Sequence, residues 1–249
     1  MTMRCPGQDR RFWKPGDIFD APCPHCGGMI EFWKDDVTVR CPHCRQTAPN
    51  PRFDPGCAAW CDYATKCLGE VASVYKQQPT VIRDRLEVEA RKQLINHKDA
   101  LDYTLKAARI AERISQEEKA DPLVVIASCL LQKVGLPRCE GADPSPDCLR
   151  RESVATARQI MERIDLDPAV VEQVSRIIEN LPDGNLNTLN YQVVRDANRM
   201  LTFGPEIAGK EIPEARNLIQ KNFLTKSGRL LAEERFLKTD VPLANKAAG

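Results

Sequence analysis

Cysteine is the residue type in this chain whose number and spacing most clearly indicate chemistry. Eight of the 11 cysteines lie within the first 69 residues, at Cys5, Cys23, Cys26, Cys41, Cys44, Cys57, Cys61 and Cys67. Thiolates bind zinc and iron, and in a reducing compartment such a cluster indicates metal binding rather than disulfide formation. We therefore expect the N-terminal part of the chain to bind metal.

Four of these cysteines form two Cys-x-x-Cys pairs, Cys23 with Cys26 and Cys41 with Cys44, and 14 residues separate the pairs. The intervening segment, GGMIEFWKDDVTVR, predicts a β-hairpin that turns at residues 34–36. Two such pairs joined by a hairpin can place four thiolates around one tetrahedral Zn²⁺ and leave no open coordination position. The pattern therefore predicts a zinc ribbon, and iron in the same four-thiolate geometry is the main alternative.

A histidine stands before the second cysteine of each pair, at His25 and His43. Imidazole is a common metal ligand, so both residues are candidates by type. Inside a Cys-x-x-Cys turn, however, the neighbour of the second cysteine usually points away from the metal. We expect both histidines to lie at the surface and not to bind the ion.

The other early cysteines suggest a second site. Cys57, Cys61 and Cys67 occur in PGCAAWCDYATKCLG, and Cys5 is the candidate for a fourth ligand. Four thiolates of this kind could bind a 4Fe–4S cluster or a second zinc ion. We favour the cluster because the unequal spacings suit a cuboid better than a compact zinc site. The alternative is that these residues are free thiols, which pack as small apolar side chains.

Composition excludes several classes of protein. The 249 residues are 42% hydrophobic and 29% charged, which is typical of a globular chain with a full apolar core. A net charge of +1 gives no electrostatic reason to expect nucleic acid binding. No apolar run approaches the roughly 18 residues that a membrane-spanning helix needs, and the start of the chain does not resemble a secretory signal. We expect a cytoplasmic protein without membrane insertion.

Beyond Gly69, apolar residues recur with helical spacing almost throughout. Helices are expected over 71–94 with a possible break at Pro79, over 97–118 with Asn96 as cap, from Pro122 to Gly135 as a central buried helix, and over 151–164, 167–179, 191–201 and part of 211–238. Cys129 is expected in the core. Cys139 and Cys148 match no ligand spacing and are expected to be free thiols.

Three segments of this helical half carry a further pattern. INHKDALDYTLKAARIAE contains His97, SCLLQKVGLP contains Gln132 and Lys133, and VVRDANRML contains Asp196. Over roughly residues 90–235 the chain resembles the HD-domain superfamily of metal-dependent phosphohydrolases. In that family the first segment supplies a His, the second a His-Asp pair and the third an Asp, and together they hold a metal that activates water. The resemblance implies an HD-like helical domain.

The same resemblance implies that the hydrolytic metal site is degenerate. Gln132 and Lys133 stand where the family has its His-Asp pair, and a Lys ammonium would repel a cation. His97 is the only histidine in residues 70–249, so no other imidazole there could replace the missing one. We expect a pseudoenzyme in which His97 and Asp196 form a hydrogen-bonded buried pair and Lys133 fills the metal position.

Two alternatives from other functional classes remain. A divergent phosphohydrolase could build an unusual site from His97, Asp196 and a loop carboxylate such as Asp143 or Asp147. A nucleotide-sensing binding module could instead use Lys133 as a fixed cation. Arg195 or Arg199 would bind the phosphates together with Lys133, because guanidinium groups bind phosphates well.

The predicted architecture is mainly α, with three parts. A zinc ribbon over 1–54 precedes a Cys-rich link over 55–70, which could share an iron–sulfur site with Cys5, and an HD-like helical domain over 71–249 follows. This order of motifs looks like that of HD-domain proteins from anaerobic bacteria. We expect a non-catalytic accessory or structural subunit of a redox enzyme assembly, with other protein subunits as partners. An iron–sulfur site on a scaffold without hydrolytic ligands suits electron relay or docking better than turnover.

Overall fold

The computed structural model describes residues 11, 13–53, 55–59, 64, 68, 70–139, 141, 145–181, 184 and 186–237. The chain divides into two compact units, residues 1–78 and 79–249. The described residues are mainly helical, with short β-strands in the first unit, which confirms the predicted mainly α fold class. None of the described helices is long and apolar enough to cross a membrane. The finer boundaries predicted near residues 54 and 70 stay predictions.

Four short strands in the first unit form two separate antiparallel pairs. The strands are β1 (Ile18–Pro22), β2 (Met29–Trp33), β3 (Thr38–Arg40) and β4 (Thr47–Pro49). β1 pairs with β2, with Phe19 opposite Phe32, and β3 pairs with β4, with Val39 opposite Ala48. Each pair is therefore a hairpin that is closed by one of the two Cys-x-x-Cys segments.

The hairpin predicted between the two cysteine pairs is wrong in its pairing. β2 and β3 flank residues 34–36 but belong to different sheets. Residues 33–36 do form a turn, because the amide of Asp36 donates to the carbonyl of Trp33 (3.0 Å) and the carboxylate of Asp36 accepts from the amide of Trp33 (2.8 Å). The buried Asn50 fixes this turn by donating from Nδ2 to the carbonyls of both residues, at 3.0 and 2.9 Å. The turn joins two hairpins and does not close one.

The core of the strand region is small. It consists of Ala21, Cys23, Ile30, Phe32, Cys41 and Ala48. The rings of Phe19 and Phe32 stack with centroids 5.8 Å apart, and the guanidinium of Arg52 lies 4.1 Å above the ring of Phe19. A core of this size buries little apolar surface, so small units of this kind usually need a metal or covalent crosslink.

The rest of the first unit is described only in part. A 3₁₀ turn covers Pro55–Ala59 and helix α1 covers Glu70–Lys76. Three small residues pack together there: Ala58, Ala64 and Ala72. α1 ends shortly before Pro79, where a new helix begins, so the predicted break at this proline is confirmed.

The second unit is built from α-helices. Their bounds are α2 (Pro79–Gln93), α3 (Lys98–Glu118), α4 (Pro122–Leu131), α5 (Pro146–Arg163), α6 (Pro168–Glu179), α7 (Leu189–Thr202), α8 (Gly204–Ile207), α9 (Ile212–Asn222) and α10 (Lys226–Leu237). The predicted helices are present with shifted ends. The N-cap of α3 is His97 and not Asn96, and α4 ends four residues before Gly135.

Helix α4 is the centre of the second unit. All of its residues from Val124 to Leu131 are buried, and it packs against α2, α3, α6 and α7. Its start is fixed by Asp121, whose carboxylate accepts from the amides of Leu123 (2.9 Å) and Val124 (3.3 Å). The predicted central buried helix is therefore confirmed, and the predicted core position of Cys129 lies within it.

A disulfide follows α4, and the prediction of two free thiols there is wrong. Cys139 and Cys148 are bonded, with Cα atoms 6.1 Å apart, a separation that suits a disulfide. Cys139 follows a 3₁₀ turn at Leu136–Arg138, and Cys148 lies in the first turn of α5, where its amide donates to Ser145 Oγ at 3.2 Å. The turn and the helix cap bring together two cysteines whose spacing matches no ligand pattern.

The last helices form a corner with their own core. Its members are Met200, Phe203, Ile219, Phe223 and Ala232. The rings of Phe203 and Phe223 meet edge to face with centroids 5.3 Å apart. This core joins α7 to the pair α9 and α10, and it lies beside a carboxylate that is described below.

Candidate metal centre

The four ribbon cysteines lie in two turns of the same construction. In the first turn the amide of Cys23 donates to the carbonyl of Gly28 (2.8 Å), and the amide of Gly27 donates to the carbonyl of Cys23 (2.9 Å). The second turn repeats both bonds from Cys41 at 2.9 Å, with Arg45 in the place of Gly27. Gly27 and Arg45 both adopt positive φ, 73° and 62°. Each turn thus folds its two cysteines toward the same side.

The two turns bring the four thiols together. Sγ of Cys23 lies 3.8 Å from Sγ of Cys44, and Sγ of Cys26 lies 3.7 Å from Sγ of Cys41. All four sulfur atoms lie within 4.8 Å of one another. A tetrahedral ion with metal–sulfur bonds of about 2.3 Å has sulfur–sulfur edges of about 3.8 Å, so the donor set fits such an ion. Among the residues that the structure describes, these cysteines form the one group of three or more His, Cys, Asp or Glu able to hold a metal.

The centre has a buried side and an open side. Cys23 and Cys41 are 3% and 1% exposed and belong to the apolar core, whereas Cys26 is exposed and Cys44 is half-buried. The sulfur atoms of the first pair are therefore held by packing as well as by the turns. A metal ion could reach the group from the side of Cys26.

The thiols differ in acidity because their hydrogen bonds differ. The amide of Cys44 is the largest cause that lowers the pKa of Cys41 to about 6; desolvation opposes it, and the amide of His43 adds to it. The pKa of Cys26 is raised to about 11: the amide of Gly28 lowers it, but desolvation and the neighbouring thiols raise it. Thiolates are the metal-binding form, so a bound cation would displace the protons of this group.

The two histidines each contact the opposite turn. Nε2 of His25 lies 3.4 Å from the carbonyl oxygen of Thr47 in β4. The ring of His43 covers Gly28, where an added Cβ would overlap Cγ and Cδ2 of the imidazole. Both histidines are exposed and neither belongs to the thiol group, as predicted. The sequence did not show that they act as spacers between the turns.

The second set of predicted ligands lies mostly outside the described residues. Cys5, Cys61 and Cys67 are not among those residues, and Cys57 is described only by its backbone in the 3₁₀ turn. The predicted 4Fe–4S cluster or second zinc ion at these cysteines therefore stays a prediction.

The residues that the resemblance singled out lie in the second unit. His97 is the half-buried N-cap of α3, and its side chain makes no capping hydrogen bond. Gln132 follows α4 and donates from Nε2 to the carbonyl of Cys129 at 3.0 Å. Among the described residues, the Asp196 carboxylate accepts hydrogen bonds from Leu224 and Thr225 and not from His97. The predicted hydrogen-bonded pair of His97 with Asp196 is therefore wrong.

Lys133 places its cation against an aromatic ring. Its Nζ lies 4.1 Å from the ring centroid of Tyr103, a cation–π contact. Desolvation lowers the pKa of Lys133. Burial, with a smaller contribution from the thiol of Cys129, raises the pKa of Tyr103 to about 12. Lys133 therefore adds to the packing between α3 and the end of α4.

Asp196 is fully buried and braces the corner between α9 and α10. Its carboxylate accepts from the amides of Leu224 and Thr225, both at 2.8 Å, and from the Thr225 hydroxyl at 2.7 Å. That hydroxyl in turn accepts from the amide of Gly228 at 2.9 Å. Desolvation is the largest influence on this carboxyl and raises its pKa, while its hydrogen bonds lower it.

The other residues of the two alternative sites have structural partners. Arg195 donates to the carbonyl of Asn222 (3.3 Å), and Arg199 donates to Glu206 (2.7 Å) and to Oδ1 of Asn222 (2.8 Å). Both arginines thus hold α9 and its neighbours against α7.

The loop carboxylates of the phosphohydrolase alternative are Asp143 and Asp147. Asp147 forms an ion pair with Arg150 within the first turns of α5. Asp143 lies outside the described residues. Asp147 therefore has a local partner, and the role predicted for Asp143 stays a prediction.

Comparisons with known proteins give two similar structures. A scan against protein-family models finds no match, and a search of curated proteins finds none. One similar structure is the crystal structure of a predicted HD superfamily hydrolase from an uncultured Thermotogales bacterium, with 21% identity, a TM-score of 0.48, and coverage of 61% of this chain and 83% of that chain. Another is YpgQ of Bacillus subtilis in complex with ADP, with 20% identity, a TM-score of 0.44, and coverage of 64% and 95%.

Proposed function

We propose that this protein is a non-catalytic metal-binding accessory subunit of a redox enzyme assembly, in which the four ribbon cysteines hold a structural Zn²⁺. The observation that carries the proposal is the convergence of four thiols within 4.8 Å of one another, with two sulfur pairs at 3.7 and 3.8 Å. Four protein thiolates complete a tetrahedral shell and leave no position for water or substrate. Metal at this centre therefore crosslinks the two turns and does not act on a substrate.

Zinc is the metal that we propose for this centre. Four-cysteine sites with two Cys-x-x-Cys turns are typical of structural zinc, although iron takes the same ligands. The small core of the strand region is a physical reason for the ion, because metal binding supplies folding free energy that so few buried side chains do not.

The helical unit serves as a scaffold in this proposal. Asp196 uses both carboxylate oxygens on Leu224 and Thr225, and Lys133 places its ammonium against Tyr103. These contacts support a packing role for two of the positions where the resembling phosphohydrolases carry metal ligands.

The redox part of the proposal depends on the second cysteine set. Cys5, Cys57, Cys61 and Cys67 would hold a 4Fe–4S cluster, and a chain that combines such a cluster with a non-catalytic scaffold suits electron relay or docking to other subunits. Only their number and spacing support this part.

Metal analysis of the full chain, purified anaerobically, tests both parts. We expect one zinc per chain together with iron and sulfide in equal amounts, and a brown colour with broad visible absorbance. Two zinc ions and no iron would overturn the redox part and leave the metal-binding part standing. A chain that takes up no metal after reconstitution with zinc would overturn the proposal as a whole.

Two ribbon variants locate the zinc. Cys41→Ser is expected to lose the zinc of the first site, because it removes one of the four converging thiols. His43→Ala is the matched control, since His43 lies two residues away but is not among the converging ligands. Zinc content that falls equally in both variants would contradict the four-thiolate assignment.

A further inference from the structure

A groove of about 490 Å³ lies on the second unit. Its lining residues are Asp99, Asp102, Tyr103, Lys106, Arg109, Ile110, Leu201 and Arg235. The volume is within the range of small-molecule sites, roughly 300–1,000 Å³. The four positions that the resemblance singled out are not among the lining residues, although Lys133 contacts the ring of the lining residue Tyr103.

The groove changes charge along its length. Six of its residues follow one face of α3, with carboxylates first and cations later, and Arg235 from α10 adds to the basic end. From Asp99 to Arg109 the helix rises by about 15 Å. In the middle, Asp102 and Lys106 neutralise each other in an ion pair of 2.6 Å. One end is therefore acidic and the other end is basic.

The two arginines at the basic end have no carboxylate partner among the described residues. The nearby Arg113, one turn further along α3, pairs with Glu234 of α10 at 2.9 Å. The same two helices thus form an ion pair where a carboxylate is available. Within the described part of the chain Arg109 and Arg235 form no such pair, and they place two guanidinium groups of like charge at one end of the groove.

The middle of the groove offers one polar donor and an apolar wall. Tyr103 lies there, and its hydroxyl is protonated at neutral pH and can donate a hydrogen bond. Ile110 and Leu201 supply apolar surface. Sites for small organic ligands typically combine apolar walls with a few placed polar groups in this way.

We propose that this groove binds a small organic phosphate whose opposite end carries hydroxyl or amino donors. The phosphate lies against Arg109 and Arg235, because guanidinium groups match phosphate oxygens in charge and geometry. The donors of the ligand lie toward the carboxylate of Asp99. The proposal is independent of the metal centre and of the proposed accessory function.

Calorimetric titration of the full metal-loaded chain with ribose 5-phosphate tests the proposal. We expect saturable binding that weakens roughly tenfold or more in Arg109→Ala and in Arg235→Ala, since each removes a charged hydrogen-bond donor. Arg158→Ala is the matched control, because this half-buried arginine of α5 pairs with Glu172 and does not line the groove. Circular dichroism confirms that each variant keeps its helices.

Two further probes separate the two ends of the groove. Ribose without phosphate is expected not to bind, and Asp99→Asn is expected to weaken ribose 5-phosphate more than inorganic phosphate. Equal binding of ribose and ribose 5-phosphate, or equal loss of affinity in Arg158→Ala and Arg109→Ala, would overturn the proposal. No heat of binding at millimolar ribose 5-phosphate and AMP would overturn it as well.

Discussion

The two cysteine turns have nearly the same sequence, but their histidines make different contacts. Both turns read Cys-Pro-His-Cys, but Gly28 stands in the first turn where Gln46 stands in the second. The difference follows from the two histidines. His43 lies directly on Gly28 and leaves no room for a side chain there, whereas Nε2 of His25 lies 3.4 Å from the carbonyl oxygen of Thr47.

Gly28→Ala is therefore expected to destabilise the ribbon by roughly 1–3 kcal/mol, the usual cost of overpacking. Adding His43→Ala to the same chain should restore most of the loss, because the overlap is with the imidazole. Thermal unfolding of the zinc-loaded chain measures both effects. Gly27→Ala is the control: its cost comes from a positive φ with no neighbour near the Cβ, so His43→Ala should not relieve it.

The sequence predicted the four converging cysteines but not the residues that hold their turns in place. The spacing of Cys23, Cys26, Cys41 and Cys44 is enough to indicate a four-ligand site, because each pair is local. Asn50 could not be recognised in the same way. Its side chain bridges two carbonyls 14 and 17 residues earlier in the chain, and such a contact exists only after the hairpins have formed.

Among the elements, the corner between α9 and α10 depends most clearly on a single buried carboxyl. Asp196, on α7, accepts from two successive amides at the start of α10. Gly228 allows this approach, because a Cβ there would overlap Oδ2 of Asp196 and Oγ1 of Thr225. The bond from the Thr225 hydroxyl completes a closed polar network within the packed helices.

Asp196→Asn is expected to lower the free energy of unfolding by about 1–3 kcal/mol. The NH₂ group of the new asparagine would face a backbone N–H group, which is then left without an acceptor. The cost should also depend on pH. Burial raises the pKa of Asp196 in the folded chain above its usual 3.8, so between these two values the folded state holds more protons than the unfolded state. The contribution of this carboxyl to stability is then greatest at low pH and falls as the pH rises through the folded pKa.

Urea unfolding followed by circular dichroism at several pH values between 4 and 7 checks this sign. The difference in unfolding free energy between the natural chain and Asp196→Asn should shrink as the pH rises. A difference that grows with pH would show that the hydrogen bonds outweigh burial and hold the carboxyl ionised.

The ends of helices could be predicted from the sequence where nearby residues determine them. The pairing of the strands could not be predicted. Asp121 and Pro122 mark the start of α4, and Pro79 marks the break before α2, because caps and prolines act within a few residues. The β-pairing was mistaken because GGMIEFWKDDVTVR has the appearance of one hairpin. The amide and carboxylate of Asp36 make its centre a linking turn instead.

Considered as a whole molecule, the chain contains two units that differ in what stabilises them. The described part of the second unit has an extensive apolar core around α4. The strand region of the first unit has six core residues, and two of these are candidate metal ligands. The change in composition near residue 69 indicated such a division, but the boundary at residue 78 depends on contacts that composition does not show.

Removal of the metal should therefore unfold the strand region and leave the helical unit folded. We expect a strong zinc chelator, in anaerobic buffer without a reductant so that the Cys139–Cys148 disulfide stays intact, to make peptide bonds within residues 13–53 sensitive to protease. Residues 79–237 should stay protected, because only the first unit then loses a crosslink. Limited proteolysis with mass spectrometry reads both regions in one sample, and helical circular dichroism should change little. Re-addition of zinc should restore protection in the natural chain and in His25→Ala, but not in Cys23→Ser. If chelation also exposed the helical unit, its stability would depend on the ion, and the division of roles between the two units would be wrong.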